Sequence, residues 1–146
     1  MKVVNGCIVS TIGFTCSCFD LLHAGHILML QDAKSRCDKL IVGLQTDPTI
    51  DRPDTKNKPI QSFEERKIQL EAVRYVDEII VYETEQDLYD LLKKIEPDVR
   101  ILGSDYKNQP QYTGNDLGTK IYYHERNHNY SSTNLRREIV AKENNK

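Results

Sequence analysis

The chain has 146 residues, of which 38% are hydrophobic and 29% charged, and this composition predicts one globular domain over residues 1–146 with a single substantial core. The formal net charge of −2 provides no overall basic field, which argues against nucleic acid as a partner. No apolar run approaches the roughly 18 to 20 residues that span a bilayer, and the N-terminus lacks the pattern of a secretory signal, so we expect no membrane segment and a cytoplasmic location.

Short β-rich runs alternate with helical patterns along the chain, which predicts a parallel sheet covered by helices. The predicted strands are Ile8 to Thr15, Lys39 to Leu44, Glu78 to Val81, Val99 to Leu102 and Lys120 to Tyr123. The predicted helices are His23 to Ser35, Ser62 to Tyr75, Gln86 to Ile95 and Thr133 to Lys142. The expected fold class is therefore α/β, a single Rossmann-like, doubly wound domain on a five-stranded parallel sheet with helices on both faces.

The ends of the chain and two long loops complete this layout. An Asn5-Gly6 pair predicts a tight turn, and hence a small hairpin flap within residues 1–9. The segments Thr46 to Gln61 and Asp105 to Gly118 lack regular periodicity and are predicted loops. Residues 142–146 are expected to fray. Long loops at strand ends are where an α/β domain keeps its site.

The sharpest local feature is a run between the first strand and the first helix, Phe19-Asp20-Leu21-Leu22-His23-Ala24-Gly25-His26. His23 and His26 are three residues apart, so they share one face of the first helical turn, and Gly25 leaves room for a ligand to approach the backbone. Imidazole N–H groups and helix-terminal amides suit the α-phosphate of a nucleoside triphosphate. The alternative is a capped helix start with two surface histidines.

Five blocks, in the same order, resemble the cytidylyltransferase family between Thr11 and Glu138. They are the Phe-Asp-x-x-His-x-Gly-His run, Thr46-Asp47, Glu65-Arg66-Lys67 with Arg74-Tyr75-Val76-Asp77-Glu78, Gly103-Ser104-Asp105-Tyr106, and Arg126 followed by Ser131-Ser132-Thr133. The resemblance implies an enzyme that moves CMP from CTP to a small phosphorylated polyol, such as glycerol-3-phosphate, and releases pyrophosphate. It also implies a homodimer. Mg²⁺ is expected to arrive with the CTP, because the leaving pyrophosphate needs neutralising.

The same resemblance implies a role for each matching residue. The catalytic groups would be His23, His26, Lys58 and Arg126. The CTP would contact these histidines, Arg126 and a further set, Cys18, Phe19, Asp20, Arg74, Asp105, Ser131, Ser132 and Thr133. The acceptor would be bound by Asp47, Lys56 and Lys58. Cys18 departs from the family pattern, because it follows Ser17 where the family usually has Gly-Thr.

Three other interpretations stay open at this point. An adenylyltransferase using ATP on a sugar phosphate would need the same phosphate-binding motif, and the block from Arg74 to Glu78 is what favours CTP. A catalytically silent nucleotide-binding module is a second alternative. A zinc site built from Cys16, Cys18 and the two histidines is a third, but Cys-x-Cys is less typical of zinc than Cys-x-x-Cys. We therefore predict no protein-bound metal and reduced thiols at Cys7, Cys16, Cys18 and Cys37.

Overall fold

A computed structural model of the chain describes residues 2–109 and 111–146. The strands are β1 (Lys2–Val4), β2 (Cys7–Val9), β3 (Ile12–Ser17), β4 (Lys39–Gln45), β5 (Glu78–Tyr82), β6 (Val99–Gly103) and β7 (Lys120–His124). The helices are α1 (Ala24–Ser35), α2 (Phe63–Glu71), α3 (Glu85–Ile95) and α4 (Ser132–Asn144), with a short 3-10 helix at Ser104–Asn108. No helix in this part of the chain is both long and apolar enough to cross a membrane.

Strands β3 to β7 form one parallel sheet in the order β5-β4-β3-β6-β7. The chain passes from β3 to β4 and β5 on one side, then crosses to β6 and β7 on the other. The strand order therefore reverses between β3 and β6, and a crevice forms outside their carboxyl ends. This topology confirms the Rossmann-like, doubly wound fold that the alternating pattern predicts.

Strand β4, an inner strand next to β3, shows why the sheet is covered on both faces. Leu40, Val42 and Leu44 belong to an apolar cluster that includes buried residues of α1 and α2. Ile41 belongs to a second cluster, which includes buried residues of α3. Successive side chains of a strand point to opposite faces, so an uninterrupted apolar run needs a helical layer on each side.

Helix boundaries follow their capping residues. The Ser62 hydroxyl accepts the Glu65 amide and the Glu65 carboxylate accepts the Ser62 amide, which is the capping box that Ser-x-x-Glu predicts at the start of α2. The predicted end at Tyr75 is wrong, because α2 stops at Glu71. There the amides of Ala72 and Val73 bond to carbonyls three residues back, and the tight turn ends the helix.

The first predicted strand, Ile8 to Thr15, is split in the structure into β2 and β3. Strands β1 and β2 pair as an antiparallel hairpin whose turn residues, Asn5 and Gly6, have φ values of 51° and 80°. The amides of Thr11 and Ile12 then donate to the carboxylates of Asp38 and Asp98, both at 2.8 Å, where β3 begins. At the other end of the chain α4 continues to Asn144, past the predicted end at Lys142.

Candidate active site

Two cavities open at the carboxyl ends of the strands. We call the first, of about 380 Å³, the histidine cavity, because all four histidines of the chain contribute to its lining, His23, His26, His124 and His128. We call the second, of about 760 Å³, the arginine cavity; its charged lining residues are Arg52, Lys56, Glu85 and Arg100. The two are neighbours, since consecutive residues Leu102 and Gly103 line the arginine and the histidine cavity respectively.

His23 is the N-cap of α1 and connects this helix to α4. Its Nδ1 accepts the Gly25 amide at 3.0 Å, and its Nε2 lies 3.2 Å from the Ser132 hydroxyl. A neutral imidazole that accepts at Nδ1 carries its proton on Nε2, so His23 donates to Ser132. The prediction that the helix begins at His23 is therefore one residue early, and the side chain is directed by its capping role.

His26 lies beside His23 and has the same proton arrangement. Its Nδ1 accepts the His23 amide at 3.2 Å, which leaves the proton on Nε2, and the two ring centroids are 4.0 Å apart. Burial lowers the pKa of His26 to about 4, with smaller contributions from the charges of His23 and Arg126 against an opposing one from Asp20. Burial, Arg126 and His128 also lower the pKa of His23. Both imidazoles are therefore neutral N–H donors at pH 7.

The close packing at Gly25 has a different reason from the one predicted. A Cβ added there would lie 2.8 Å from His23 Cε1 and 3.0 Å from the Tyr130 carbonyl oxygen. The space beside Gly25 is thus filled by the His23 ring and by the loop before α4, rather than left for a ligand. Glycine is needed at this position for the capping histidine and the Tyr130 loop to meet.

The positive ends of two helices meet at the histidine cavity. Ser131 is the N-cap of α4 and, with Ser132, lines the cavity, while Gly25 of α1 lines it from the other helix. Neither helix has an acidic residue in its first turn to offset its dipole. The Arg126 side chain lines the same cavity and donates from Nη2 to the Tyr130 carbonyl. Two helix N-termini and a guanidinium make this a site for an anion.

His124 and His128 also line the histidine cavity, although no sequence motif predicts them there. His124 is the last residue of β7, and its Nδ1 lies 2.7 Å from the Asp32 carboxylate. His128 Nδ1 accepts the Tyr130 amide at 3.1 Å, and the two rings stack with centroids 4.8 Å apart. Both Nε2 atoms are buried and have no hydrogen-bond partner within residues 2–109 and 111–146. The signal for His124 was its position, because the last residue of a parallel strand faces the crevice.

Asp105 belongs to the histidine cavity, as predicted for the Gly-Ser-Asp-Tyr block. Of the described residues that line this cavity, it is the one that carries a carboxylate. A Cβ at Gly103 would lie 2.6 Å from Asp105 Oδ1, so the glycine permits the carboxylate to fold back over the end of β6.

Two residues of the Phe-Asp-x-x-His run are structural instead of lining either cavity. Phe19 is 1% exposed, lies in the main core and has a φ of 49°. Asp20 accepts the amides of Ile60 and Gln61, both at 2.9 Å, and pairs with Arg136 at 2.9 Å. Asp20 thereby joins the loop before α2 to α4.

The predicted site residues fall into three sets, which line the histidine cavity, line the arginine cavity or lie outside both linings. Those that line the histidine cavity are His23, His26, Asp105, Arg126, Ser131 and Ser132, and those that line the arginine cavity are Cys18 and Lys56. The ones outside both linings are Phe19, Asp20, Asp47, Lys58, Arg74 and Thr133.

Lys58, Asp47 and Arg74 have contacts of their own outside the cavities. The Lys58 side chain is 81% exposed, 3.9 Å from Asp47, whose carboxylate also accepts the Thr49 amide and hydroxyl. Arg74 is exposed and donates to the Tyr75 hydroxyl at 2.9 Å. Arg74 thus lies on a separate surface beside α2.

Three of the four cysteines have described side chains. Cys16, Cys18 and Cys37 are free cysteines, and Cys7 has its side chain outside the described residues. Across residues 2–109 and 111–146, no three His, Cys, Asp or Glu side chains are grouped closely enough to hold a metal ion.

Comparison with known proteins decides the family. The sequence model of the cytidylyltransferase-like family matches residues 14–138, most of the chain. The chain belongs to the cytidylyltransferase-like family. It is a nucleotidyltransferase domain, as the five sequence blocks predict.

Curated relatives share the domain but are much longer. The bifunctional protein HldE of Wolinella succinogenes is 43% identical over 110 residues, covering 75% of this chain and 23% of that protein. The bifunctional protein HldE of Caulobacter vibrioides is 37% identical over 128 residues, covering 85% and 26%. The chain therefore spans about a quarter of the length of these relatives.

Solved structures confirm the fold. A lipopolysaccharide core biosynthesis protein from Thermoplasma volcanium has a TM-score of 0.64 and 28% identity, covering 84% of this chain and 100% of that one. A pantoate-β-alanine ligase from Francisella tularensis has a TM-score of 0.61 and 22% identity, covering 97% and 71%. The second likeness concerns the fold alone.

The lowered pKa of His26 predicts how stability depends on pH. Unfolding returns this imidazole from a pKa of about 4 to its ordinary value near 6.5, so the unfolded chain binds more protons between those values. Stability therefore falls as pH drops from 6.5 to 4, by at most about 3 kcal/mol for this group. Urea unfolding of the wild type and of His26→Gln between pH 4 and 6.5 measures this loss of stability. If the free energy of unfolding falls with pH as steeply in the variant as in the wild type, His26 is not the group responsible.

Proposed function

We propose that the chain transfers a nucleoside monophosphate from a nucleoside triphosphate to the phosphate of a phosphorylated sugar or polyol and releases pyrophosphate. The observation that carries this is the convergence of His23, His26, Arg126 and two helix N-termini on one cavity. These groups are donors and positive dipoles, which suit a polyphosphate. Because the imidazoles are neutral, they bind by donation and do not repel Arg126.

The reaction follows from these donors. A phosphate oxygen of the acceptor attacks the α-phosphorus in line, the bond from that phosphorus to the bridging oxygen breaks, and pyrophosphate leaves with the electron pair. The acceptor phosphate is already ionised at neutral pH, so no general base is required. His26 would donate from Nε2 to the α-phosphate, where negative charge develops. His23 would do the same by exchanging its Nε2 hydrogen bond to the Ser132 hydroxyl for one to the phosphate. Arg126, Ser131 and Ser132 would hold the two outer phosphates.

Mg²⁺ fits this site as an ion that arrives with the nucleotide. Among the described lining residues Asp105 carries the single carboxylate, and one carboxylate is not enough to hold a metal ion without the nucleotide. With the nucleotide present it is enough, because Mg²⁺ is commonly held by phosphates and one or two carboxylates. When bound, it would neutralise charge on the departing pyrophosphate.

Two substrate pairs fit the reaction, CTP with glycerol-3-phosphate and ATP with a sugar phosphate. The block from Arg74 to Glu78 was the reason to favour CTP, but Arg74 contacts Tyr75 on a different surface. The arginine cavity, at about 760 Å³, is large for glycerol-3-phosphate. The Thermoplasma volcanium structure, 28% identical, is named as a lipopolysaccharide core biosynthesis protein, which also points to a sugar. We therefore favour ATP with a sugar phosphate.

A non-catalytic nucleotide-binding module is the alternative of another class. Two neutral histidines beside two helix ends, in addition to Arg126, are more donors than nucleotide retention requires. We further propose that the chain is cytoplasmic and that it forms a homodimer, since two-fold assemblies are the commonest oligomers. Sedimentation of the purified chain would test whether it is a dimer.

A substrate screen tests the proposed function. The chain is incubated with ATP or CTP and Mg²⁺, together with glycerol-3-phosphate, hexose phosphates or heptose phosphates, and pyrophosphate is measured. We expect pyrophosphate only when nucleotide and acceptor are both present. Tight nucleotide binding without pyrophosphate for any pair would support the silent module instead.

Arg126→Lys should weaken the enzyme substantially. Lysine retains the charge, but an ammonium cannot both donate to the Tyr130 carbonyl and form a planar fork on a phosphate. We expect kcat/KM for the nucleotide to fall by about tenfold to a hundredfold. Arg137→Lys, on an exposed position of α4, is the matched control. Equal kcat/KM in the two variants would remove Arg126 from the phosphate site.

A further inference from the structure

The arginine cavity has more positive than negative side chains. Its described lining contains three cationic residues, Arg52, Lys56 and Arg100, and a single carboxylate, Glu85. Glu85 is already engaged, because it pairs with Arg52 at 2.7 Å and accepts the Thr113 hydroxyl at 2.7 Å. The cavity therefore keeps an excess of positive charge that the protein does not neutralise.

Arg100 is the unusual member of this group. It lies on β6 between the buried residues Val99 and Ile101, and it is only 4% exposed. Its Nη1 donates to the Thr113 carbonyl, its guanidinium lies 5.3 Å from the Tyr112 ring centre, and its Nε has no hydrogen-bond partner in the described residues. A buried guanidinium without a carboxylate partner destabilises a fold unless something else compensates for it.

The polar neighbours of Arg100 cannot supply that compensation as anions. Burial raises the pKa of the Cys16 thiol, which Arg100 lowers only in part. Burial also raises the pKa of the Tyr82 hydroxyl, well above its usual value. Both groups stay neutral at pH 7, so neither balances the guanidinium.

Arg66 shows how this protein treats a buried arginine with a structural role. It is 2% exposed, and it donates to four backbone carbonyls, those of Cys18, Gln45, Thr46 and Gln61. Arg100 donates to one carbonyl and borders a cavity. The contrast between the two arginines indicates that the Arg100 guanidinium binds a ligand in the cavity.

We propose that Arg100, with Arg52 and Lys56, binds a second anionic group of the acceptor, at the end of the molecule remote from the attacking phosphate. This inference rests on the proposed function. An acceptor whose reacting phosphate enters the histidine cavity extends into the neighbouring arginine cavity, since Leu102 and Gly103 line one each. The acceptor is then a sugar phosphate that also carries a phosphate or a carboxylate.

Calorimetry without nucleotide tests the proposal on the wild-type chain. The three probes share one sugar ring, glucose 1-phosphate, glucose 1,6-bisphosphate and glucuronic acid 1-phosphate. We expect the two probes with a second anionic group to bind at least about tenfold more tightly than glucose 1-phosphate. The order of those two distinguishes a phosphate from a carboxylate. Equal affinity for all three would overturn the proposal.

Substitutions of Arg100 test whether this residue causes the preference for a second anionic group. Arg100→Gln keeps a polar amide, and Arg100→Met has no polar side-chain atoms; both should abolish the preference for the probes with a second anionic group. Lys94→Met, exposed in the last turn of α3, is the charge-matched control and should keep it. Arg100→Met should also keep or raise Tm, since it removes an unpaired buried charge. A lower Tm in Arg100→Met with an unchanged preference would assign Arg100 a structural role and overturn the proposal.

Failure of this inference and of the proposed function can be told apart. Pyrophosphate formed with glucose 1-phosphate as readily as with the probes that carry a second anionic group would leave nucleotidyl transfer intact and overturn the second anionic site. An Arg100-dependent preference for the probes with a second anionic group, with no pyrophosphate from ATP or CTP, would support the site and contradict the proposed function. The wild-type comparison needs no variant, so the test stands even if an Arg100 variant fails to fold.

Discussion

Replacing His26 by Asn should lower kcat by about 10²-fold to 10³-fold, the usual effect of removing one donor to a developing charge. The asparagine Oδ1 can replace Nδ1 as acceptor of the His23 amide. The variant therefore keeps the start of α1 but loses the Nε2 donor that would face the α-phosphate. Turnover at saturating substrate measures the effect, because the interaction is proposed to act mainly in the transition state.

His26→Gln is the matched comparison for this prediction. The glutamine amide places its NH₂ near the position of imidazole Nε2, so this variant should retain more activity than Asn. Both proteins should unfold as cooperatively as the wild type. If Asn and Gln are equally active, or if Asn has nearly normal kcat, His26 does not act as a donor in the reaction.

Replacing Arg66 by Met should cost about 3 to 5 kcal/mol of stability. The buried guanidinium donates to the carbonyls of Cys18 at 2.9 Å, Gln45 at 2.7 Å and Gln61 at 3.3 Å, and also to Thr46. These carbonyls lie at or just after the carboxyl ends of β3 and β4 or precede α2, so methionine leaves the carboxyl ends of two inner strands without their donor. For a domain of this size, Tm should fall by roughly 10 °C.

Arg137→Met is the control, because Arg137 is exposed on α4, and its Tm should stay close to that of the wild type. Arg66→Lys should fall between the two, since one ammonium can reach some of the carbonyls but not all of them. A Tm for Arg66→Met within a degree or two of the control would show that the hydrogen bonds from Arg66 to the four carbonyls contribute little to stability.

The sheet was predictable because its strands are nearly continuous apolar runs. Leu40 to Leu44 read as a fully buried parallel strand, and β4 has that place in the sheet. Helix starts were also well marked where a capping box was present, as at Ser62 and Glu65. Helix ends were less predictable, because the residues after Glu71 are compatible with a helix and only tertiary packing bends them away.

The site was predictable where its residues form a contiguous motif and not where they come from an irregular loop. His23 and His26 lie in the cavity because the crossover from β3 to the parallel strand β4 begins at the carboxyl edge of the sheet. His128 lies in the aperiodic segment before α4, so no spacing rule connects it with His23, more than 100 residues earlier in the sequence. Its place follows only from the folded loop.

The Phe-Asp-x-x-His-x-Gly-His run also contains both structural and cavity-lining residues, and no sequence pattern distinguishes the two roles. Asp20 and His23 are three residues apart in one block, yet Asp20 pairs with Arg136 and His23 lines the cavity. Likewise, Arg66 and Arg100 are both buried arginines, and only the structure shows that one is surrounded by carbonyls and the other borders a cavity. Side-chain partners from distant elements decide these roles.

Phosphorus NMR of the reaction tests the central claim most directly. The chain is incubated with Mg²⁺, ATP or CTP, and the acceptor that gives most pyrophosphate in the screen, and the phosphorus species are followed with time. The proposed attack on the α-phosphorus predicts equal amounts of pyrophosphate and of a nucleoside diphosphate joined to the acceptor. A free nucleoside diphosphate with a newly phosphorylated acceptor would show transfer of the γ-phosphate instead and would contradict the account.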